Sequence, residues 1–230
     1  MKWRSLNESG SYSDTRPLKQ IFAERKETIA RYVPADVRAV HERVVAELKA
    51  QELAAKALHV GAKAPSFTRS DHNGKTVSSA DLLARGRVVL LFIRGRWCPF
   101  DVGQLEAMNY IAAQVAAAGA SPVAISPQTG KQAYFMHDQH KLAIPLLVDA
   151  CNEVARQFGL VYRVPQEQQQ LYRRTFVNLP MANGDDSWTL PIPATYILDR
   201  DGTVLFASVN EDYTERPEPL VILSILERLG

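Results

Sequence analysis

Residues 88–108 read VVLLFIRGRWCPFDVGQLEAM, and this stretch decides the fold. Its first six residues form an uninterrupted apolar run rich in β-branched and aromatic side chains, which is typical of a strand covered on both faces. Cys98 and Pro99 follow shortly afterwards, and proline is favoured at the first position of a helix. The stretch therefore predicts a buried strand, a turn, and a helix that begins near Pro99 and extends to about Ala118.

Short strands and helices alternate along the chain from Gly61 onward. Apolar runs and turn signals predict further strands at 122–126, 144–149, 160–164, 195–199 and 203–209. Helical spacing predicts helices at 80–84, 131–141, 152–158 and 217–229. This order predicts an α/β fold with a central mixed sheet and helices on both of its faces. Residues 165–190 interrupt the alternation, and we expect them to be a functional loop or a surface decoration.

The pattern before Gly61 is different, so we divide the chain into an extension at 1–60 and a main domain at 61–230. Residues 1–16 are polar and rich in serine, which predicts a loose tail. Residues 17–58 carry apolar side chains at helical spacing, which predicts a helical hairpin that turns at Pro34. We expect its apolar stripe to pack on the main domain, with homodimer formation as the alternative. We also expect these helices to stay outside the chemistry, because they contain no cysteine.

Composition excludes several classes of protein. Lys and Arg number 27 and Asp and Glu number 25, so the net charge of +2 gives no basic field for nucleic acid. No apolar run approaches the roughly 20 residues of a transmembrane helix, and residues 1–10 lack a secretory apolar stretch. Two cysteines exclude a disulfide scaffold, and His137 and His140 have no further ligands nearby to complete a metal site. We expect a cytoplasmic globular protein without metal, cofactor, membrane or nucleic-acid partner.

Cys98 is the candidate nucleophile. A thiol at the start of a helix lies near unpaired N–H groups and the positive end of the helix dipole, which lower the pKa of a cysteine. Arg94 and Arg96 add positive charge just upstream, and we expect a reactive thiolate as a result. Asp101 falls at the third helical position, where its carboxylate can accept hydrogen bonds from first-turn N–H groups.

Residues 97–101, WCPFD, resemble the active-site segment of the thioredoxin fold. They are most similar to the peroxiredoxin-like branch of the alkyl hydroperoxide reductase and thiol-specific antioxidant family, AhpC/TSA. Four further segments resemble that family in the same order, namely GAKAPSF at 61–67, PVAISP at 122–127, IPLLVD at 144–149 and PATYILDRDG at 193–202. The resemblance implies a thioredoxin-like fold over 61–230, with a cis peptide bond before Pro193 beside the active cysteine.

The resemblance also implies a reaction. Cys98 would attack a hydroperoxide, become a sulfenic acid, and be reduced by a second thiol. That thiol would be Cys151, thioredoxin, glutathione or another small thiol. Trp97 and Phe100 would exclude water. The pocket opposite Cys98 would be closed by Pro193, Ala194 and Thr195. The alternatives are a one-thiol oxidoreductase acting on mixed disulfides and a non-catalytic binding module of the same fold.

Several positions depart from the family pattern. Gly95 stands where peroxiredoxins carry a pocket threonine, and Pro193 stands where they carry a second arginine, so Arg94 or Arg96 must replace these pocket groups. Asp101 stands where thioredoxin carries its second cysteine, which excludes dithiol exchange within 98–101. Cys151 follows the strand at 144–149, and parallel strands would bring both cysteines to one sheet edge. We expect Cys151 to be a bystander rather than the resolving thiol, because an intervening strand would separate the two cysteines.

Overall fold

The structure is a computed structural model that describes residues 16–175 and 177–229, so the predicted tail at 1–16 lies outside the described residues except for Arg16. The helices are α1 (Leu18–Tyr32), α2 (Ala35–Ala50), α3 (Ser79–Arg85), α4 (Pro99–Tyr110), α5 (Ala112–Ala117), α6 (Gly130–Gln139), α7 (Glu153–Gln157), α8 (Gln166–Arg174), α9 (Leu179–Asn183) and α10 (Pro219–Leu229). The strands are β1 (Thr68–Ser70), β2 (Thr76–Ser78), β3 (Arg87–Phe92), β4 (Ala120–Ser126), β5 (Leu146–Val148), β6 (Val161–Arg163), β7 (Thr189–Pro191), β8 (Ala194–Leu198) and β9 (Val204–Val209). Short 3-10 turns lie at Ala54–Lys56 and Ala150–Asn152.

The central sheet is mixed, as predicted, and has the strand order β5-β4-β3-β8-β9. Strands β3, β4 and β5 are parallel, whereas β8 pairs antiparallel with both β3 and β9. In this register Phe92, at the end of β3, lies between Ile125 of β4 and Ala194 of β8. The apolar run therefore occupies the middle of the sheet, where it is covered on both faces.

The side chains of β3 alternate between two apolar cores. Val88, Leu90 and Phe92 face a core that also receives side chains from α2, α3, α7 and α8. The residues between them face a second core, formed with α4, α5, α6 and α10. Helices thus cover both faces of the sheet. The chain leaves the end of β3 and enters α4 after a short turn.

Two predicted elements differ from the observed ones. The helix predicted from Pro99 to Ala118 is divided into α4 and α5 at Ile111, whose backbone leaves the helical region (φ −100°, ψ 8°). Residues 165–190 are not an irregular loop, because they contain α8, α9 and β7, and β7 pairs with β6. This segment folds because it buries its own apolar side chains, among them Tyr172 and Leu190.

The expectation of a cis peptide bond before Pro193 is wrong. All peptide bonds of the described residues are trans. The Ile192 N–H donates to the carbonyl of Leu160 (2.8 Å), and the Pro193 carbonyl accepts from the Asn210 N–H (3.4 Å). These bonds fix the passage from β7 to β8 with the trans isomer, which X–Pro bonds prefer by about 0.5–1 kcal/mol.

The two N-terminal helices pack on the rest of the molecule. From α2, Val44 and Leu48 enter the same core as Phe92. From α1, Leu18 and Phe22 are the buried side chains, and they pack elsewhere, against the start of α4. The boundary between extension and main domain at residue 60 stays a prediction. Within 16–175 and 177–229, no helix combines the length and apolarity needed to cross a membrane.

Candidate active site

Cys98 lies at the elbow between β3 and α4. It is the N-cap residue of α4, and Pro99 occupies the first helical position, as predicted. The Cys98 N–H donates to the carbonyl of Gly95 (3.0 Å), which closes a tight turn after the strand. The Cys98 side chain has no exposed surface, so the thiol is enclosed in this conformation.

Arg94 is the residue that contacts the sulfur. Its guanidinium Nη2 donates to Cys98 Sγ at 2.9 Å, and the side chain is only 2% exposed. The guanidinium carbon lies 3.8 Å from the ring centroid of Tyr213 and 4.9 Å from that of Trp97. Among the described residues, Arg94 Nε and Nη1 have no hydrogen-bond partner. The hydroxyl of Tyr162 also interacts with this guanidinium, and the Arg94 charge acts to lower the pKa of that hydroxyl against the larger effect of burial.

Aromatic side chains surround this pair. Trp97 packs edge-on against Tyr172 (centroids 5.4 Å apart), and Phe100 packs edge-on against Tyr213 (5.9 Å). Burial raises the pKa of Tyr172 well above its ordinary value, so its hydroxyl stays neutral. That hydroxyl is buried and has no hydrogen-bond partner within the described ranges. Tyr172 comes from α8, in the segment that the sequence pattern indicated only as an insertion.

Asp101 holds the turn that carries Arg94. Its Oδ2 accepts from the N–H groups of Arg94 (2.9 Å) and Gly95 (3.2 Å). Asp101 therefore accepts hydrogen bonds from backbone N–H groups, as expected. The donors, however, precede α4, whereas the expected donors were those of its first turn. Its Oδ1 accepts from Nη2 of Arg216 at 2.7 Å, and both side chains of this ion pair are buried.

Arg216 connects the turn to the sheet. Its Nε donates to Oε1 of Gln104 (2.8 Å), and Gln104 Nε2 donates to Oγ1 of Thr195 on β8 (3.0 Å). Thr195 thus belongs to the buried network and is connected to Asp101 through Gln104 and Arg216. This role does not require a contact between Thr195 and Cys98. Sequence reasoning missed both Arg216 and Gln104, because neither lies in a motif and only the fold reveals that they are buried.

The expected low pKa of Cys98 is not found in the enclosed site. Burial raises the pKa of the Cys98 thiol, because a low-dielectric surrounding disfavours the thiolate. The guanidinium of Arg94 acts in the opposite direction, and Arg216 adds to its effect, whereas Asp101 opposes it. Helix position and arginines alone suggested a lowered pKa, and the complete enclosure of the side chain outweighs them.

Arg96 does not contact the thiol in this structure, and its role as an alternative peroxide-binding arginine stays a prediction. Arg96 is exposed, and its Nη1 donates to Oε1 of Gln132 (3.0 Å). The turn reverses direction at Gly95, whose φ of +139° favours glycine. A Cβ at Gly95 would also lie 3.2 Å from Gln128 Oε1 and from Trp97 Nε1. This backbone conformation therefore favours glycine over threonine at position 95.

Cys151 lies beyond the end of β5, in the 3-10 turn before α7. It is exposed, whereas Cys98 is buried, and both are free thiols. Strands β3 and β5 are parallel, as the sequence suggested, and β4 lies between them. The backbone of Cys151 adopts φ of +58°. The expectation that Cys151 is a bystander, and not the thiol that resolves Cys98, therefore stays a prediction.

The histidines of α6 have separate partners. His137 stacks on His72, with ring centroids 3.5 Å apart, and His140 lies 3.0 Å from the carboxylate of Glu106. Across the ranges 16–175 and 177–229, no group of three or more His, Cys, Asp or Glu side chains is arranged to hold a metal ion.

A groove of about 430 Å³ opens beside the elbow. Trp97 and Pro99, the two neighbours of Cys98 in sequence, line it together with Arg25 and Arg96. Its opposite wall is formed by residues of the 177–182 segment. Cys98 itself does not line the groove. The groove therefore approaches the thiol without reaching it.

The N-terminal helix α1 packs against the active-site elbow, and the expectation that these helices stay outside the chemistry stays a prediction. Leu18 and Phe22 share a buried apolar cluster with Cys98 and Phe100. The rings of Phe22 and Phe100 meet edge to face, with centroids 5.0 Å apart. The absence of cysteine in this segment said nothing about which surface its apolar side chains would cover.

Comparisons with known proteins agree with this fold. The protein named "Putative peroxiredoxin Rv2521" of Mycobacterium tuberculosis is 29% identical over 150 residues, which cover 65% of this chain and 84% of that protein. The solved structure of peroxidoxin BcpB from Mycobacterium tuberculosis matches with a TM-score of 0.60 and 21% identity, covering 75% of this chain and 99% of that one. The structure of peroxiredoxin 6 of Arenicola marina matches with a TM-score of 0.61 and 16% identity, covering 75% and 73%. The model of the AhpC/TSA family matches residues 60–207, so the chain belongs to this peroxiredoxin-like family of the thioredoxin fold.

Proposed function

We propose that this thiol-dependent peroxidase uses Cys98 as its peroxide-reducing nucleophile and Arg94 as the group that binds the peroxide and stabilises the thiolate. The observation that carries this proposal is the contact between Arg94 Nη2 and Cys98 Sγ inside a fully buried site. The carboxylate of Asp101 binds the backbone of the turn and Arg216. The hydrogen bond of Arg94 Nη2 goes to the Cys98 sulfur instead, where its positive charge favours the thiolate against the effect of burial.

The free donors of Arg94 support a role in binding substrate. Nε and Nη1 are buried without partners in the described part of the chain, at the side chain whose Nη2 already contacts the sulfur. A hydroperoxide placed against these N–H groups would have its oxygens oriented toward Sγ. The same donors would stabilise the negative charge that develops on the leaving oxygen. Arg94 alone can thus supply hydrogen bonds that the family pattern divides among several groups.

The reaction then follows in three steps. The Cys98 thiolate attacks the distal oxygen of ROOH, the S–O bond forms as the O–O bond breaks, and ROH leaves after taking up a proton. Cys98 is oxidised to a sulfenic acid. A thiol R′SH then forms a mixed disulfide and releases water, and a second R′SH restores the Cys98 thiol and leaves as R′SSR′. The sum is ROOH and two R′SH giving ROH, water and R′SSR′.

The reductant we propose is an external thiol, either thioredoxin or glutathione. Cys151 is separated from Cys98 by β4 and lies on the exposed surface, so it is poorly placed to attack an enclosed sulfenic acid. The groove beside Trp97 and Pro99 offers an approach for a small thiol, and the exposed Arg96 at its wall suits an anionic one. A cytoplasmic location, where such thiols are kept reduced, would supply the reductant.

Replacement of each cysteine by serine tests the proposal. We expect Cys98→Ser to abolish peroxide consumption with a dithiol reductant while circular dichroism remains that of the wild type. Cys151→Ser is the matched control, and it should retain the activity. Peroxide consumption by Cys98→Ser would place the nucleophile elsewhere, and a wild-type protein inactive with every thiol would favour a non-catalytic role.

Mass spectrometry separates the one-cysteine cycle from its alternative. After one equivalent of hydrogen peroxide without reductant, we expect a gain of one oxygen on the Cys98 peptide. A dimedone adduct at the same peptide would identify that oxygen as a sulfenic acid. A loss of two hydrogens together with a linked Cys98–Cys151 peptide would instead make Cys151 the resolving thiol.

A further inference from the structure

The helix α1 covers the active-site elbow with a small part of its surface. Of its 15 residues, only Leu18 and Phe22 are buried, and both belong to the apolar cluster that contains Cys98. The remaining buried members of that cluster are Phe100 and Ala107 of α4, and Ile21, Ile29, Trp97 and Tyr213 pack at its edge. The buried part of the α1 cover over Cys98 is therefore formed by Leu18 and Phe22.

The contact between α1 and α4 is close. Phe22 meets Phe100 edge to face, and the Arg25 guanidinium donates to the carbonyl of Pro99. A Cβ placed on Gly103 of α4 would lie 2.8 Å from the Phe22 ring and 2.9 Å from Arg25 Nη1. The absence of a side chain at Gly103 thus allows α1 to pack closely against the first turns of α4. Arg25 also lines the groove, so α1 contributes to the groove as well as to the cluster that contains Cys98.

The outer attachments of α1 are polar. Glu218, just before α10, accepts from the backbone N–H groups of Leu18 (2.8 Å) and Lys19 (2.7 Å). It occupies the place of an N-cap and faces the positive end of the α1 dipole. Lys26 and Glu215 form an additional ion pair at 2.7 Å, and both side chains are about half exposed. Exposed pairs of this kind hold a helix weakly.

A hinge separates α1 from the rest of the extension. Val33 and Pro34 are extended between the two helices. Beyond them α2 has its own anchors, because Val44 and Leu48 enter the main core and His41 Nδ1 lies 3.1 Å from Gln168 Nε2. Rotation at the hinge would lift α1 without disturbing α2.

We propose that α1 is a lid that opens and closes over Cys98, and that Phe22 determines which solutes reach the thiol. The peroxide part of this inference rests on the proposed function, whereas the lid itself concerns access to the sulfur. Solutes react only with the open form, so the observed rate is the intrinsic rate multiplied by the open fraction. A bulky hydroperoxide requires wider opening than hydrogen peroxide and is restricted more strongly by the lid.

Alkylation of the full chain with iodoacetamide tests the lid without requiring peroxidase activity. Phe22→Ala removes the central contact, and Glu218→Gln weakens the polar anchor of α1. We expect each to raise the alkylation rate of Cys98, by about tenfold or more for Phe22→Ala, since the rate follows the open fraction. The exposed Cys151 thiol, followed by mass spectrometry in the same samples, should keep its wild-type rate.

Matched controls exclude general loosening. Phe135→Ala changes the same residue type at an exposed position of α6, and Glu227→Gln does so on α10. Both should leave the alkylation rate of Cys98 unchanged. In the peroxidase assay, Phe22→Ala should raise kcat/KM for cumene hydroperoxide more than for hydrogen peroxide.

Two results would overturn the lid. One is a Cys98 alkylation rate within twofold of the wild type in both folded α1 variants. The other is slower hydrogen exchange of α1 amides than of α4 amides, which would mean that α1 does not open before the helix it covers. Should Phe22→Ala fail to fold, Glu218→Gln and the exchange measurement decide. Continued peroxide consumption by Cys98→Ser would refute the proposed function and leave these alkylation results standing.

Discussion

Two opposing effects act on the sulfur of Cys98. Burial disfavours the thiolate, and the Arg94 guanidinium, at 2.9 Å from Sγ, favours it. The charge of Arg94 itself is secure, because although burial acts to lower its pKa, the surrounding groups, Cys98 foremost, raise that pKa well above its ordinary value. Arg94 is therefore the main cation that favours the Cys98 thiolate, and Arg216, the ion-pair partner of Asp101, adds a smaller effect in the same direction.

The variant Arg94→Met tests this dependence while retaining an unbranched side chain of similar length. We expect the pKa of Cys98 to rise further, because the sulfur loses both the charge and the hydrogen bond of the guanidinium. The pH profile of iodoacetamide alkylation measures the shift. Arg96→Met is the control, because that arginine is exposed and contacts Gln132. Identical profiles for the two variants would show that Arg94 does not set the thiol pKa.

Asp101 should matter for stability as much as for chemistry. Asp101→Asn keeps an oxygen for the Arg94 and Gly95 N–H groups but leaves Arg216 buried without an anion. Breaking a buried ion pair from one side costs about 3–5 kcal/mol of unfolding free energy. Urea denaturation measures the loss. The exposed pair of Asp138 and Lys141 provides the control, since Asp138→Asn should cost less than about 1 kcal/mol.

At the scale of elements, the strand, turn and helix around Cys98 were predictable because their signals are local. The apolar run of β3 and the proline at the start of α4 depend on neighbours in sequence only. The buried position of Arg216 was not predictable, because its partner Asp101 lies 115 residues away. The packing of α1 over Cys98 was not predicted for the same reason. An apolar stripe predicts that a helix packs on another surface, but it does not indicate which surface that is.

The turn between β3 and α4 should be sensitive to a single methyl group. Gly95→Ala forces an alanine to φ near +139° and places its Cβ 3.2 Å from Gln128 Oε1. We expect a loss of about 1–2 kcal/mol and slower alkylation of Cys98, since the turn positions Arg94. Gly130→Ala is the matched control, because its Cβ would meet nothing closer than 4.0 Å within a helix. That control should be neutral or slightly stabilising.

At the scale of the whole molecule, the active site is assembled from segments that are far apart in sequence. The backbone of Leu18 donates to Glu218, a separation of 200 residues. The elbow, α8 and the segment at 213–216 contribute the remaining groups. Such contacts form only when the chain has folded as a unit, so reactivity of Cys98 and global stability should be lost together under denaturing conditions.

The pH dependence of stability should reflect His41 of α2. Burial lowers the pKa of His41 to about 4, and the positive charge of Arg94 lowers it as well. The unfolded chain binds this proton near pH 6.5, so the stability contribution is complete above that pH and is lost as pH falls toward 4. We expect about 1–2 kcal/mol less unfolding free energy at pH 5 than at pH 7 from this residue.

Urea denaturation of His41→Gln at both pH values measures this contribution. The variant should show a smaller difference between pH 5 and pH 7 than the wild type. His59→Gln alters an exposed histidine and should retain the wild-type difference. An unchanged difference in His41→Gln would assign the acid sensitivity to other groups, such as the stacked pair of His72 and His137, whose pKa values burial also lowers.

The fluorescence emission of the Trp97 indole should report the oxidation state of Cys98. The guanidinium carbon of Arg94 lies 4.9 Å from the centroid of the indole ring, and Nη2 of the same group donates to the sulfur that changes oxidation state. When a thiolate becomes a sulfenic acid, a negative charge beside that guanidinium disappears, and the electric field across the indole changes with it. Trp188 lies instead against Arg173, and replacing Trp3 and Trp188 by phenylalanine would leave Trp97 as the one tryptophan of the chain. The enzyme therefore carries its own fluorophore, and stopped-flow emission can follow single turnovers without a dye or a coupled assay.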